Sequence, residues 1–195
     1  MSIALPPAPA AARPRTLMVG TMLASAGVAM AVFGQLAVYL ALREQAGGTT
    51  QTWLPKGVVI PEIAANLMLI GLIMACVMVQ WAVYAVARED RLNAYVALGA
   101  AGLLGAAVLN AQVYIWRQME LALRDGEFQT LFYAVTGTFF AVLISALVAL
   151  FVVAFRAFGG RAGSRHVESL SLLALYWYVI TAVFAAVWLV VYVNK

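Results

Sequence analysis

Histidine and cysteine, the side chains that most often bind haem, copper or zinc, each occur once in this sequence, as His166 and Cys76. A haem or copper site at membrane depth needs several ligands, and the chain does not supply them. A lone cysteine in an apolar segment is typically a small core residue, and we expect His166 to anchor a helix end at the membrane surface. The Gly159-Gly160 pair lacks the Lys and Ser/Thr of a phosphate-binding loop. The sequence therefore predicts no catalytic residue, no metal ligand and no cofactor bound by this chain.

Away from their ends, the apolar segments contain five amide side chains, which are their strongest polar groups: Gln35, Asn66, Gln80, Asn110 and Gln112. An amide that faces lipid forfeits its hydrogen bonds, so each is expected to find a partner between helices. Carboxylates, histidine and lysine are absent from the same segments. Because ion or proton coupling requires a titratable or charged group, this composition disfavours a transporter.

The elements that must position these residues are five long windows without charged residues. Only 10% of the 195 residues are charged, 65% are hydrophobic, and the mean hydropathy is +0.95. A helix of about 20 apolar residues spans a bilayer, whereas the strands of a membrane β-barrel are about 10 residues of alternating polarity. The windows run 25 to 28 residues each: 17–42, 63–87, 92–116, 128–155 and 169–193.

We therefore predict an all-α fold, a polytopic transmembrane bundle of five helices. Residues 1–16 are rich in proline and alanine and are expected to form a flexible tail, and residues 17–195 a single transmembrane domain. The net charge of +4 reflects the basic loops of a membrane protein and gives no indication of nucleic acid. With the N-terminus inside, seven arginines lie on the cytoplasmic face and five basic residues outside. This bias predicts a cytoplasmic N-terminus and an extracytoplasmic C-terminus.

Small residues crowd two of the windows. Gly20, Ala24, Ser25 and Gly27 lie in the first, and the third contains a similar group over residues 101–106. A spacing of four places small residues on one helix face and lets two backbones approach closely. The first group is either an internal packing face of the bundle or an interface for another subunit.

Three short motifs occur in the last three windows. They are Gln112-Val113-Tyr114-Ile115-Trp116, Phe132-Tyr133-Ala134-Val135-Thr136-Gly137 and Tyr176-Trp177. They resemble the Q-x-Y-E-W, F-Y-x-x-T-G and Y-W-H-F-V-D stretches of haem-copper oxidase subunit III. The end of the first window, Tyr39 to Gly48, resembles the actinobacterial form of that family. The resemblance runs from about residue 17 to residue 194 and implies the shorter bacterial version, with five helices instead of seven.

The sequence departs from that family at its ionisable positions. The family's paired histidines fall on Phe139 and Val142, its Glu in Q-x-Y-E-W falls on Ile115, and the His and Asp of its last motif fall on Tyr178 and Thr181. In the family these groups hold lipid headgroups and support proton uptake into subunit I. Buried ionisable groups are expensive in lipid, so the pattern predicts a scaffold retained after its polar site was lost.

The resemblance implies a non-catalytic component of a respiratory terminal oxidase in a bacterial plasma membrane. Its partners would be subunits I and II, with haem and copper in the partner subunits and bound phospholipid on this chain. It would stabilise the catalytic subunit and shape a cleft for lipid and O2. An accessory or assembly protein, of the kind associated with nitric oxide reductases, is the alternative. A small-solute transporter is the least favoured hypothesis.

Overall fold

The structure is a computed structural model that describes residues 16–47, 53–55, 57–121, 126–159 and 164–194, without the side chains of 157–159 and 164–166. Residues 1–15 of the expected tail and the side chain of His166 lie outside these residues, whereas Thr16 begins the first helix. In this described part of the chain, five long helices follow one another: α1 Thr16–Gln45, α2 Glu62–Ala87, α3 Arg91–Met119, α4 Glu127–Gly159 and α5 Ser164–Val187, which continues as a π-helix, Trp188–Val193.

All five helices are long and apolar enough to cross a membrane. No strand occurs among the residues that the structure describes. The predicted fold class, an all-α bundle of five transmembrane helices, is therefore confirmed. Apolar side chains point both into the bundle and outward, because the surrounding solvent is hydrocarbon.

The tight turn between α2 and α3 makes these helices antiparallel neighbours. The Asp90 carboxylate caps α3 by accepting hydrogen bonds from the Asn93 backbone N–H at 3.1 Å and from its Nδ2 at 2.6 Å. The backbone hydrogen bond, and after it the side-chain hydrogen bond, hold the pKa of Asp90 below its usual range. Glu89 adopts a left-handed conformation with φ of 60°. The turn joins the two most extensively packed helices of the bundle.

Helix α5 is the centre of the bundle, since it packs against α1, α2 and α4. Helix α3 contacts α2 and α4, whereas α1 packs mainly on α5 and α4. Along α1 the buried side chains form one narrow stripe, Ser25, Val32, Leu36 and Tyr39. The rest of α1 is largely exposed, so this helix lies at the edge of the bundle.

The last turns of α5 are wider than an α-helix. Residues Trp188–Val193 are π-helical, and the Asn194 N–H donates to the Leu189 carbonyl at 2.9 Å, five residues earlier. The sequence predicts a regular α-helix here, and the structure differs from this prediction. It accompanies the burial of both Val191 and Tyr192. The Arg43 guanidinium, at the end of α1, donates to the Asn194 carbonyl and ties these two helix ends together.

Candidate functional site

Two of the sequence motifs meet between α3 and α4. The indole N–H of Trp116 donates a 3.0 Å hydrogen bond to the Thr136 hydroxyl. The Trp116 ring also lies 6.1 Å from the Tyr133 ring and 5.0 Å from the Phe140 ring, measured between centroids. An indole N–H can only donate, so in hydrocarbon it needs an acceptor from the protein. The contact joins the tryptophan of one motif to the threonine of the other.

The hydroxyl groups of the α4 motif have partners in the helices and loop beside it. Thr136 donates to the Phe132 carbonyl one turn earlier, at 2.6 Å, so its oxygen both donates and accepts. Tyr133 donates to the Leu121 carbonyl at 3.0 Å, which ties α4 to the segment after α3. Phe132 is buried and packs edge-on against the ring of Tyr192, with a centroid separation of 6.3 Å. The motif therefore connects α4 to α3 and α5.

The third motif locks α5 against α3 and α4. Trp177 is fully buried, and a methyl group on Gly105 of α3 would lie 2.9 Å from its Cη2 and 2.8 Å from Leu147 Cδ2. Only glycine leaves room for the indole at this crossing. Tyr176, beside Trp177 in the chain, shares a 2.8 Å hydrogen bond with the Ser145 hydroxyl of α4. The Tyr176-Trp177 pair thus contacts two helices.

The α3 motif is divided between the inside and the outside of the bundle. Gln112 is fully buried, and neither atom of its amide forms a hydrogen bond among the described residues. The Tyr192 hydroxyl lies close to this amide, and it too has no hydrogen bond of ordinary geometry among the described residues. Tyr114 is 52% exposed and faces away from the core. The contacts of the motif with the rest of the bundle are therefore made by Gln112, Ile115 and Trp116.

Comparison with known protein families finds a match to the model described as cytochrome c oxidase subunit III, over residues 19–195. The chain belongs to the cytochrome c oxidase subunit III family. A comparison with curated proteins finds no match. The family resemblance drawn from the three motifs is thus confirmed, and the geometry above shows what the motifs do in this subunit III chain. They hold α3, α4 and α5 together.

Two positions at which this subunit III sequence departs from the family pattern are filled by core residues. Phe139 is buried, and its ring lies 4.6 Å from that of Phe184 on α5. Ile115 is fully buried as well. Thr181 instead forms a 3.0 Å contact with the Cys76 thiol of α2. An ionised side chain would be costly at the two apolar positions, because the surroundings offer it hydrocarbon.

The intramembrane amides behave in three different ways. Gln35 donates to the Thr138 hydroxyl of α4 at 2.8 Å, and Asn66 and Gln80 of α2 accept from aromatic side chains of α5. Gln112 is buried, and its amide has no hydrogen bond with the described residues. Asn110 departs from the expected interhelical pairing: it is exposed on α3 and makes no hydrogen bond with the described residues. Its side chain lies on the outer surface of the bundle.

The small residues near the start of α1 do not share one environment. Gly20, Ala24 and Gly27 are exposed, and a methyl group on either glycine would have no neighbour within 4 Å. Ser25 lies on the opposite, buried face, and its hydroxyl has no hydrogen-bond partner in the part of the chain that the structure describes. Packing inside this chain therefore gives no reason for glycine at positions 20 and 27. On α3, by contrast, packing inside this chain requires glycine at position 105.

A groove of about 390 Å³ opens between the start of α1, the end of α4 and the start of α5. Its walls are mainly apolar, with the guanidinium of Arg156 in the last turn of α4 and the hydroxyls of Thr16 and Ser169. The small side chains of Gly20 and Ala24 form part of the α1 wall. The groove thus combines a long apolar surface with a cation at a helix end.

Several residues outside the three sequence motifs hold the bundle together at the end opposite the groove. Tyr39, Trp53 and Phe128 form an aromatic cluster, with the Tyr39 and Trp53 rings 5.3 Å apart and perpendicular. No pattern in the sequence marks these residues as neighbours.

Within the described part of the chain, no group of three or more His, Cys, Asp and Glu residues is arranged to hold a metal ion.

Proposed function

We propose that this chain is a non-catalytic, stabilising subunit of a respiratory haem-copper terminal oxidase. It binds subunits I and II in a bacterial plasma membrane, with its N-terminus in the cytoplasm and its C-terminus outside. Haem and copper belong to the partner subunits. The observation that carries the proposal is the family match over residues 19–195, together with motifs whose contacts serve helix packing.

The outward face of α1 is the proposed contact with the oxidase core. Gly20, Ala24 and Gly27 are followed on the same face by Ala31 and Gly34, at spacings of four and three residues. All five are exposed, and a methyl group on any of the glycines would meet nothing within 4 Å. Association between helices in lipid depends on close packing, for which small side chains are required. We call these five residues the α1 seam.

The experiment that tests the proposal measures haem in the purified complex. Gly27→Leu places a bulky group on the α1 seam, where overpacking typically costs about 1–3 kcal/mol, and should reduce the haem co-purified per mole of this chain about ten-fold or more. Gly99→Leu is the matched control, because Gly99 is also exposed and open but lies on α3. Membrane insertion should be normal in both variants. Equal haem contents would place the oxidase contact on another face.

The groove between α1, α4 and α5 supports a second part of the proposal, a bound phospholipid. An acyl chain fits the apolar walls, and Arg156 with the Ser169 hydroxyl provides the charge and hydrogen bonds for a phosphate group. The same apolar cleft offers O2 a path, because O2 is apolar and partitions into hydrocarbon. The subunit thereby shapes the lipid and oxygen environment of its catalytic partner.

Arg156→Gln tests the lipid site directly. The variant removes the cation and leaves a shorter, uncharged polar side chain, so the phospholipid retained after extensive washing in detergent should decrease. Arg117→Gln is the control, because Arg117 also lies in the last turn of a helix but does not line the groove. Retention of the same molar amount of phospholipid phosphorus in both variants would contradict the site.

A further inference from the structure

Two amide side chains on α2 are held in the same way by α5. The Trp188 indole N–H donates to the Asn66 side-chain oxygen at 2.7 Å, and the Tyr178 hydroxyl donates to the Gln80 side-chain oxygen at 2.7 Å. Asn66 and Gln80 are fourteen residues apart, which places them on one face of α2. The repeated arrangement orders both amides on one surface.

Each of these amides retains its NH2 group as an unused donor. An indole N–H can only donate, so it fixes the oxygen of Asn66 towards Trp188 and leaves the NH2 group outward. Within the part of the chain that the structure describes, neither NH2 group has an acceptor. Asn66 is exposed and Gln80 is half-buried. This surface therefore presents hydrogen-bond donors and no partner for them.

The depth of the two amides makes this costly in a bilayer. The 26 residues of α2 give a helix about 39 Å long at 1.5 Å per residue, which puts Gln80 roughly 8 Å and Asn66 roughly 13 Å from its midpoint. The hydrocarbon core extends about 15 Å to each side of the bilayer centre. Acyl chains offer no acceptor, so donors at these depths require one from protein.

The surface of α2 that bears the two amides is otherwise apolar, and it is concave beside Gln80. Ile73 and Val77 are exposed between them, and a groove of about 490 Å³ runs beside Gln80 along Trp81, Tyr84 and Tyr178. We propose that this α2–α5 surface binds a transmembrane helix of another subunit, which presents hydrogen-bond acceptors at the depths of Asn66 and Gln80. Hydroxyl or amide oxygens of Ser, Thr, Asn or Gln side chains have the required chemistry.

A second copy of this chain is a poor occupant of the surface. In a symmetric, parallel pair the amides would meet at equal depth, with donor facing donor, because both oxygens are already engaged by α5. Lipid lacks acceptors at this depth. The surface also lies on different helices from the α1 seam, so the proposal does not depend on where the oxidase core contacts α1.

Photo-crosslinking from the α2–α5 surface, with both amides kept, tests the proposal in native membranes. p-Benzoylphenylalanine at Val77 should give a discrete adduct with another membrane subunit, whose crosslinked peptide is transmembrane and contains Ser, Thr, Asn or Gln. The control position is Leu103, which is 75% exposed on α3 and should not produce that adduct. An adduct of this chain with itself, an adduct with a peptide lacking those residues, or reaction with lipid alone would overturn the proposal.

Substitution of the amides gives a second, independent measurement. Each interhelical hydrogen bond contributes to the affinity between the two subunits. Gln80→Leu should therefore weaken retention of the crosslinked subunit in detergent about three-fold, and the double variant with Asn66→Leu about eight-fold. Ile70→Leu, an apolar exchange on the same exposed face, should leave retention unchanged. Undiminished retention in the double variant would contradict the assigned hydrogen bonds, whereas loss of haem with Gly27→Leu tests the α1 seam separately.

Discussion

Gly105→Ala should destabilise the bundle, although alanine favours helices. The added methyl group would lie 2.8 Å from Leu147 Cδ2 and 2.9 Å from Trp177 Cη2, below any ordinary carbon–carbon contact. The Leu147 methyl can rotate away, but the indole is rigid and fully buried. Overpacking of this kind costs about 1–3 kcal/mol, against a gain in helix propensity of about 1 kcal/mol that any glycine-to-alanine change in a helix receives.

Gly102→Ala is the matched variant that isolates the packing cost. It lies one turn away on α3, receives the same gain in propensity, and its methyl group would be 3.7 Å from Leu150 Cδ2, an ordinary contact. The free energy of unfolding should therefore be about 1–3 kcal/mol lower for Gly105→Ala than for Gly102→Ala.

The assay is unfolding of the purified chain by SDS in mixed micelles, followed by tryptophan fluorescence. In a Trp177→Leu background the cost of Gly105→Ala should decrease, because the indole carbon at 2.9 Å is removed. Equal stability of the two alanine variants in the wild-type background would refute the packing of Trp177 on Gly105.

Further predictions concern single polar groups and orientation. Thr136→Val removes the acceptor of the Trp116 N–H and should lower the free energy of unfolding by about 0.6–1.7 kcal/mol in the same assay; no loss would contradict the bond. Asn110→Leu should leave the isolated chain at least as stable as wild type, and a clear loss would indicate an internal partner. Because the pKa of Asp90 is lowered in the folded state, its contribution is present above the usual Asp pKa and is lost as the pH falls through the lowered value. Wild type should therefore lose stability relative to Asp90→Asn in acid, and parallel pH profiles would argue against the cap. A reporter fused after Lys195 should be extracytoplasmic, and one between α4 and α5 cytoplasmic; the reverse would invert the topology.

The sequence predicts the helices well because lipid imposes a simple condition on it. A backbone in hydrocarbon must satisfy its own hydrogen bonds, so long windows without charge are helical. The family could also be predicted, because motif residues such as Trp116, Thr136 and Trp177 are large or polar groups whose order along the chain is distinctive. Their mutual contacts explain why they occur together, since each requires a partner on another helix.

The sequence does not predict which face each helix turns to the bundle. In lipid both faces are apolar, so hydrophobic periodicity carries little information. Ser25 and Gly27 illustrate this, being two residues apart yet buried and exposed, respectively. The same is true of Asn110, which was expected between helices and lies outside. The π-helical end of α5 and its link to Arg43 depend on tertiary contacts that no local pattern marks.

The central claim, that this subunit III family member is a structural component of a haem-copper oxidase, is tested most directly by the composition of the complex it forms. The full-length chain would be tagged, purified from its native membranes in mild detergent, and examined by reduced-minus-oxidised absorbance and by metal analysis. We predict haem absorbance and copper in a stable complex with a larger catalytic subunit, in constant molar ratio to this chain. A colourless, homomeric preparation from membranes with active oxidase would contradict the claim.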